Sequence, residues 1–256
     1  MNFKRSPLPL EKMKALLPMA KKQYQEASPF PHIVFDDFFH PEVTERLLSE
    51  FPGKNDINWI NFKDNKQVKF ANEDEANMSP FTRYVLHSLN SSMFLEFLEE
   101  LVGIPDLLSD PSFIGGGMHN IFRTGKLGIH IDFNKHPKYG LYRRLNLLLY
   151  LNKDWKEEFG GHIEFWDPSV KKCVKRISPI FNRMVIFTTT ATSFHGHPDP
   201  LNCPPERSRK SLALYYYTVK QEKRKAPHST VFRNRPGEKE DSPNKIKKYF
   251  SSLLKL

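Results

Sequence analysis

The chain has 256 residues, 39% of them hydrophobic and 13% aromatic, so it can bury a sizeable core, and it has no apolar run near the roughly 18–20 residues that a membrane span needs. Its only cysteines are Cys173 and Cys203, which excludes a disulfide scaffold and a four-cysteine zinc site. The net charge of +10 is unevenly placed: residues 1–28 carry +4, residues 220–256 carry +7, and the stretch between them is close to neutral at −1.

The opening segment, MNFKRSPLPLEKMK, lacks the apolar stretch of a signal peptide, and the simplest expectation is an intracellular, cytoplasmic protein. The charge distribution divides the chain into a basic extension (1–28), a central domain (29–219) and a basic tail (220–256). Basic ends of this kind are solvated surface or a contact for an acidic partner. Nucleic acid is disfavoured, because the central domain carries no basic excess. No internal repeat is present.

Residues 1–28 read as a helical or irregular extension, and PFPHIVFDDFF (29–39) as a short strand. Pro41 then stands at a helix start, with Val43, Leu47, Leu48 and Phe51 at helical spacing. Residues 52–78 are polar and read as a loop. Ser79-Pro80 opens a second helix, and Ser91 or Ser92 caps a third, MFLEFLEELV, closed by Gly103. From about residue 112 short strand-like runs alternate with turns: GMHNIF, LGIHIDF, RRLNLLLYLN, GHIEFW, KKCVKRI, RMVIFTT and KSLALYYYTV. Helices first and strands after imply an α+β, mainly β fold: a rolled antiparallel core with helices from 41–103 packed outside it. A last helix is expected near 243–254.

The chemistry concentrates in Gly128-Ile129-His130-Ile131-Asp132-Phe133. Alternate strand residues share a face, so His130 and Asp132 point the same way and form half of a metal site. A histidine from a distant strand would complete a facial triad of two histidines and one carboxylate. Ser193-Phe194-His195-Gly196-His197 supplies the candidate. Only one of its two histidines is expected to point inward. Three protein ligands leave an octahedral iron with open positions for a cosubstrate and dioxygen. Downstream, Arg209 in RSRKSLALYYYT is a rigid bidentate donor suited to a buried carboxylate.

The ordered set His130-x-Asp132, His195 and Arg209 resembles the iron(II)- and 2-oxoglutarate-dependent oxygenases of the prolyl 4-hydroxylase type. The resemblance runs over roughly 29–219. PFPHIVFDDFFHPE looks like that family's opening strand and helix. YLNKDW, the Gly160-Gly161 pair and FNRMVIF resemble segments of the hypoxia-factor prolyl hydroxylases. The family implies a double-stranded β-helix (jelly-roll, cupin-like) core. It implies that His130, Asp132 and His195 bind iron(II), and His195 is favoured over His197 by its place after Phe194. It implies that Arg209 pairs with the distal carboxylate of 2-oxoglutarate, helped by the hydroxyl of Tyr150. Asn120 falls where many relatives have a tyrosine that touches the cosubstrate.

His195 and Arg209 are fourteen positions apart, a longer separation than in typical prolyl hydroxylases, and PDPLNCPPE (198–206) fills it as a rim element or an insertion. Because Asp132 is present, halogenation is disfavoured. Arg143 and Arg144 either orient substrate or flank a strand, and His119 either lines the pocket or is structural. The expected activity is hydroxylation of an aliphatic C–H bond with release of succinate and carbon dioxide, the substrate being a prolyl residue of a protein or peptide. The alternatives are a free amino acid or other small metabolite, or a catalytically silent β-helix used as a binding module.

Overall fold

The computed structural model describes residues 6–220 and 226–238. The helix expected near 243–254 lies outside them. Helix α1 (Leu10–Glu26) is followed by strand β1 (His32–Phe35), helix α2 (Pro41–Ser49), the hairpin β2 (Ile60–Lys63) and β3 (Gln67–Asn72), and helices α3 (Pro80–Leu89) and α4 (Ser92–Val102). Then come strands β4 (Leu108–Ser109), β5 (Gly117–Phe122), β6 (Lys126–Ile131), β7 (Tyr142–Tyr150), β8 (Ile163–Trp166), β9 (Cys173–Ile177), β10 (Arg183–Thr188), β11 (His195–His197), β12 (Ser208–Thr218) and β13 (Val231–Phe232). The helix starts follow local chemistry. Pro41 and Pro80 sit in first turns, where a missing N–H costs nothing, and the Ser79 hydroxyl accepts from the Thr82 amide. Gly103 closes α4 in the left-handed conformation (φ 71°).

The strands are antiparallel and follow the order β1-β10-β7-β12-β5-β3-β6-β11-β8-β9, a sheet rolled into a double-stranded β-helix. Period-two alternation sorts its side chains into two layers. Leu145, Leu147 and Leu149 of β7, Met184 and Ile186 of β10, and Leu212, Leu214 and Tyr216 of β12 pack outward against the helices. Tyr150, Val185 and Phe187 point inward and meet Ile163 and Phe165 of β8. The run Tyr215-Tyr216-Tyr217 shows the same division: the Tyr216 hydroxyl donates to the Leu89 carbonyl on the helix side (2.9 Å), whereas the Tyr215 hydroxyl reaches Gly115 O (2.7 Å) on the other. The first segment is helical, and Met13, Ala20 and Tyr24 of α1 are buried in the cluster that holds α4.

Residues 52–78, expected to be a loop, contain the β2–β3 hairpin. Its turn is made by Asp64, whose carboxylate accepts from the Lys66 and Gln67 amides at 2.7 and 2.9 Å. Its polar composition hides it because β2 is largely exposed, while β3 is held by pairing to β5 and β6 rather than by an apolar face. The 198–206 segment is docked: Leu201 and Cys203 are buried with Ile121, Trp155 and Phe159. After residue 226 the chain returns to the sheet. There β13 pairs with Ile131 and His130 of β6, and Arg235 is ion-paired with Asp199 and Glu238.

Phe94 of α4 is fully buried among Phe38, Phe97 and Tyr216. Phe94→Ala is expected to destabilise the fold by about 3–5 kcal/mol. A lower denaturant midpoint at unchanged m-value would show it.

Candidate active site

Strand β6 carries His130, and Asp132 follows its last residue; β11, paired beside β6, places His195 opposite His130. One ligand atom from each of these three residues lies within 4.8 Å of the others. The Asp132 carboxylate is 3.6 Å from His130 Nε2 and 3.4 Å from His195 Nε2. Both imidazoles are oriented by the same local device. His130 Nδ1 lies 2.9 Å from Gly128 O, and His195 Nδ1 lies 2.9 Å from Ser193 O, in each case the carbonyl two residues upstream. A carbonyl can only accept, so each Nδ1 carries the proton and each Nε2 presents its lone pair to the common centre. Two neutral imidazoles and a carboxylate converging in this way suit a divalent metal of the iron type. This close pairing of β6 and β11 needs glycine at 196, where a Cβ would lie 2.6 Å from Gly128 O.

Asp132 is supported from behind. It accepts from Asn146 Nδ2 at 2.7 Å and faces Arg143 Nη2 at 3.3 Å. Arg143 in turn donates to Asn146 Oδ1 through Nε and Nη2, at 2.8 and 2.6 Å. Burial alone pushes the Asp132 carboxyl up, but Arg143 and the two histidines outweigh it and hold it well below the usual carboxylate range. Burial lowers His195 to about 4, against the pull of Asp132. Arg143 reaches this position through a bulge. Tyr217 pairs with Arg143 while Tyr216 pairs with Leu145, which leaves Arg144 as the extra residue and turns Arg143 to the same side as Asn146. Arg143 therefore supports the triad, while Arg144 donates to Thr218 Oγ1 at 3.3 Å.

Arg209 is 4% exposed and lines the same cavity, of about 70 Å³. Its Nε donates to Gly161 O (2.8 Å) and its Nη2 to the Tyr150 hydroxyl (3.0 Å). The glycine is required at 161 as well: φ is +72°, and a Cβ would lie 2.6 Å from Leu201 Cδ2 and 3.0 Å from Arg209 Cδ.

Two expectations change. Asn120 does not line the cavity: His119 and Ile121 do, because adjacent strand residues alternate, and the Asn120 side chain is turned to the other face of β5. His197 lines the cavity together with His195, since residues two apart on a strand share a face; neither of its ring nitrogens has a hydrogen-bond partner among the described residues. Burial holds His197 well below its ordinary pKa, followed in effect by Arg209 and Lys69. Sequence reasoning missed Lys69 of β3, which also lines the cavity and whose pKa burial lowers to about 8. Its signal was hidden with the hairpin that carries it. His119, the open case, faces inward, and burial followed by Lys69 brings it down to about 3.

Residues 117–217 match the family model described as the 2OG-Fe(II) oxygenase superfamily. The chain is 32% identical over 79 residues to prolyl 3-hydroxylase OGFOD1 of Mus musculus, a stretch that is 29% of this chain and 14% of that protein, so the match spans only a small part of the relative's length. The fold is similar to that of a Trichoplax adhaerens prolyl hydroxylase in complex with a hypoxia inducible factor oxygen degradation domain peptide fragment (TM-score 0.58, 18% identity, 81% of this chain and 91% of that one). It is also similar to HygX of Streptomyces hygroscopicus with nickel, 2-oxoglutarate and hygromycin B bound (TM-score 0.51, 13% identity, 74% of this chain and 84% of that one).

Arg143→Gln is expected to weaken divalent metal binding about 10- to 100-fold, as loss of an outer partner of a metal ligand does. Cobalt(II) titration against wild type and Arg144→Gln checks it. The lowered pKa values of His119 and His195 give a second expectation. Unfolded histidines take up protons near about pH 6.5, before these folded ones do. The metal-free protein should therefore lose stability as the pH falls from about 6.5 to about 4 and keep it above that window. Urea midpoints on either side of the window measure it.

The matched stretch, the rolled β-helix and the convergent triad agree: residues 117–217 are similar to the 2OG-Fe(II) oxygenase superfamily, and the three candidate metal ligands lie in or beside the double-stranded β-helix that this stretch helps to form.

Proposed function

We propose that the chain is an iron(II)- and 2-oxoglutarate-dependent dioxygenase that hydroxylates an aliphatic C–H bond of a prolyl residue in a protein or peptide. The observation that carries this reading is the convergence of two Nε2 lone pairs and one carboxylate on a single point in the cavity that Arg209 lines. In this reaction C–H, dioxygen and 2-oxoglutarate become C–OH, succinate and carbon dioxide, one oxygen atom entering each of the first two products. Iron(II), when bound, supplies the coordination sites and the redox chemistry that this needs.

The chain's own residues do the rest. His130, Asp132 and His195 would hold the metal, and Arg143 with Asn146 would keep Asp132 ionised and aimed. Arg209, steadied by Gly161 O and the Tyr150 hydroxyl, would take the distal carboxylate of the cosubstrate in a fork of charged donors. Burial lowers the pKa of Arg209 and raises that of Tyr150, so a carboxylate arriving there meets desolvated donors, where charge-assisted hydrogen bonds are strong. Phe187 and Ile163 line the cavity with Leu148 and Leu127 and exclude water. The 32% identity to a prolyl 3-hydroxylase supports the prolyl substrate. The likeness to HygX, whose structure holds hygromycin B, supports a small-molecule substrate as the second reading. We take residues 29–219 as the oxygenase unit.

Anaerobic addition of iron(II) and 2-oxoglutarate to apo-protein should produce the weak visible absorption of the chelated keto acid. The band should vanish in His130→Ala and His195→Ala. In Arg209→Ala it should need about 10- to 100-fold more 2-oxoglutarate, the worth of a charged hydrogen bond. No band in folded wild-type protein would leave the silent binding module.

A further inference from the structure

The charged groups around the cavity do not balance. Arg143 is matched by Asp132. Arg209 is held by Gly161 and Tyr150 and, on the reading above, receives one end of a dianionic cosubstrate whose other end meets the metal. With iron(II) contributing two positive charges and Asp132 one negative, the two arginines and Lys69 bring the site to +4. The cosubstrate offsets two of these, and a net positive charge remains in a desolvated space. Lys69 is the cation with no counterpart. Its ammonium makes no ion pair or hydrogen bond among the described residues and lies over the Phe62 ring, 5.1 Å from the centroid. The histidines of that wall, His119 and His197, offer it no compensation, because an imidazole side chain is neutral or cationic and never an anion here. A cation kept in a cavity wall without a partner costs stability, and a ligand anion is the group that offsets it.

The hairpin that carries Lys69 is itself basic. Lys69 sits on β3, in a hairpin that also carries Lys63 and Lys66, and Val68 pairs with Lys126 of β6. The hairpin's one acid, Asp64, lies in its turn, where it accepts from the Lys66 and Gln67 amides.

We infer that Lys69 is a specificity-determining residue that receives the carboxylate of an acidic residue next to the hydroxylated proline, so that the substrate is an acidic prolyl peptide. The inference rests on the prolyl oxygenase reading and deepens it. Lys69 touches neither reacting atom. It selects and positions the peptide, and its loss should raise KM for acidic peptides far more than it lowers kcat.

The test uses the full chain with iron(II), 2-oxoglutarate and a synthetic peptide pool. Each peptide has a central proline between fully randomised flanking positions, and products gaining one oxygen are read by mass spectrometry. Wild type should enrich Asp and Glu beside the modified proline by about 10- to 100-fold over Asn and Gln, the range of a charge-assisted hydrogen bond. Lys69→Met should lose the preference while still hydroxylating neutral members, Lys69→Arg should keep it, and Lys69→Glu should shift it toward Lys and Arg. Anaerobic equilibrium binding of one enriched peptide and its Asn/Gln counterpart to the loaded protein gives a readout separate from turnover. Equal use of acidic and amide peptides by wild type, or an acidic preference that survives in Lys69→Met, overturns the inference and leaves the oxygenase reading standing. A chelate band with no pool member hydroxylated overturns the prolyl reading and this inference together. Absence of the band overturns the oxygenase reading itself.

Discussion

The site is organised around the need to keep one buried carboxylate charged. Asp132 sits between two imidazoles in a space that water barely reaches, where an isolated carboxylate would take a proton. Arg143 and Asn146 prevent this, and the fold arranges itself to bring them there. The bulge at Arg144 turns Arg143 inward. Tyr215 lies under its guanidinium at 3.3 Å from the ring centroid, and Phe133 packs 4.5 Å from it. Tyr215 is anchored in turn through its hydroxyl to Gly115. A charged centre is thus set on an aromatic shelf, and the shelf on a strand that pairs along its whole length.

The outer layer of helices makes that arrangement rigid. Strands β7, β10 and β12 present leucine, isoleucine and methionine to the helices on one face. This leaves the opposite face of the same strands free to carry Asn146, Tyr150, Arg209 and Ser211. The same alternation that drives folding therefore exports the polar residues to the interior of the roll. There they can be buried without breaking the apolar core, because each meets a hydrogen-bonding or charged partner or borders the cavity.

Much of this was legible in the sequence. His130 and Arg209 stand on strands whose residues alternate, Asp132 directly follows the first of these and His195 opens a short strand between them, so the four occur in a distinctive order along the chain. The helix starts at Pro41 and Pro80 and the stop at Gly103 were legible because capping chemistry is local. What escaped was non-local. The β2–β3 hairpin is polar and gains its stability from neighbours on both sides, so periodicity gives little sign of it, and Lys69 went unseen with it. Asn120 was placed by position along the chain, whereas strand register decides which of three consecutive residues faces inward. The role of Arg143 depends on a one-residue bulge, which follows from the count of residues between two pairings and not from composition.

The return of the chain through β13 has a consequence for how the protein behaves in a crowd. Strand β3 covers β6 only near Leu127 and Lys126, and beyond that point the amides and carbonyls beside His130 would form a bare edge. Bare edges invite strands from other molecules, and here the invitation would come from the segment that carries a metal ligand. β13 occupies that place, with Phe232 against the His130 ring at 5.4 Å and the Arg233 amide bonded to Ile129 O. The segment after residue 226 thus shields the backbone beside His130 from intermolecular strand addition, next to residues for which a change of register would displace a candidate metal ligand.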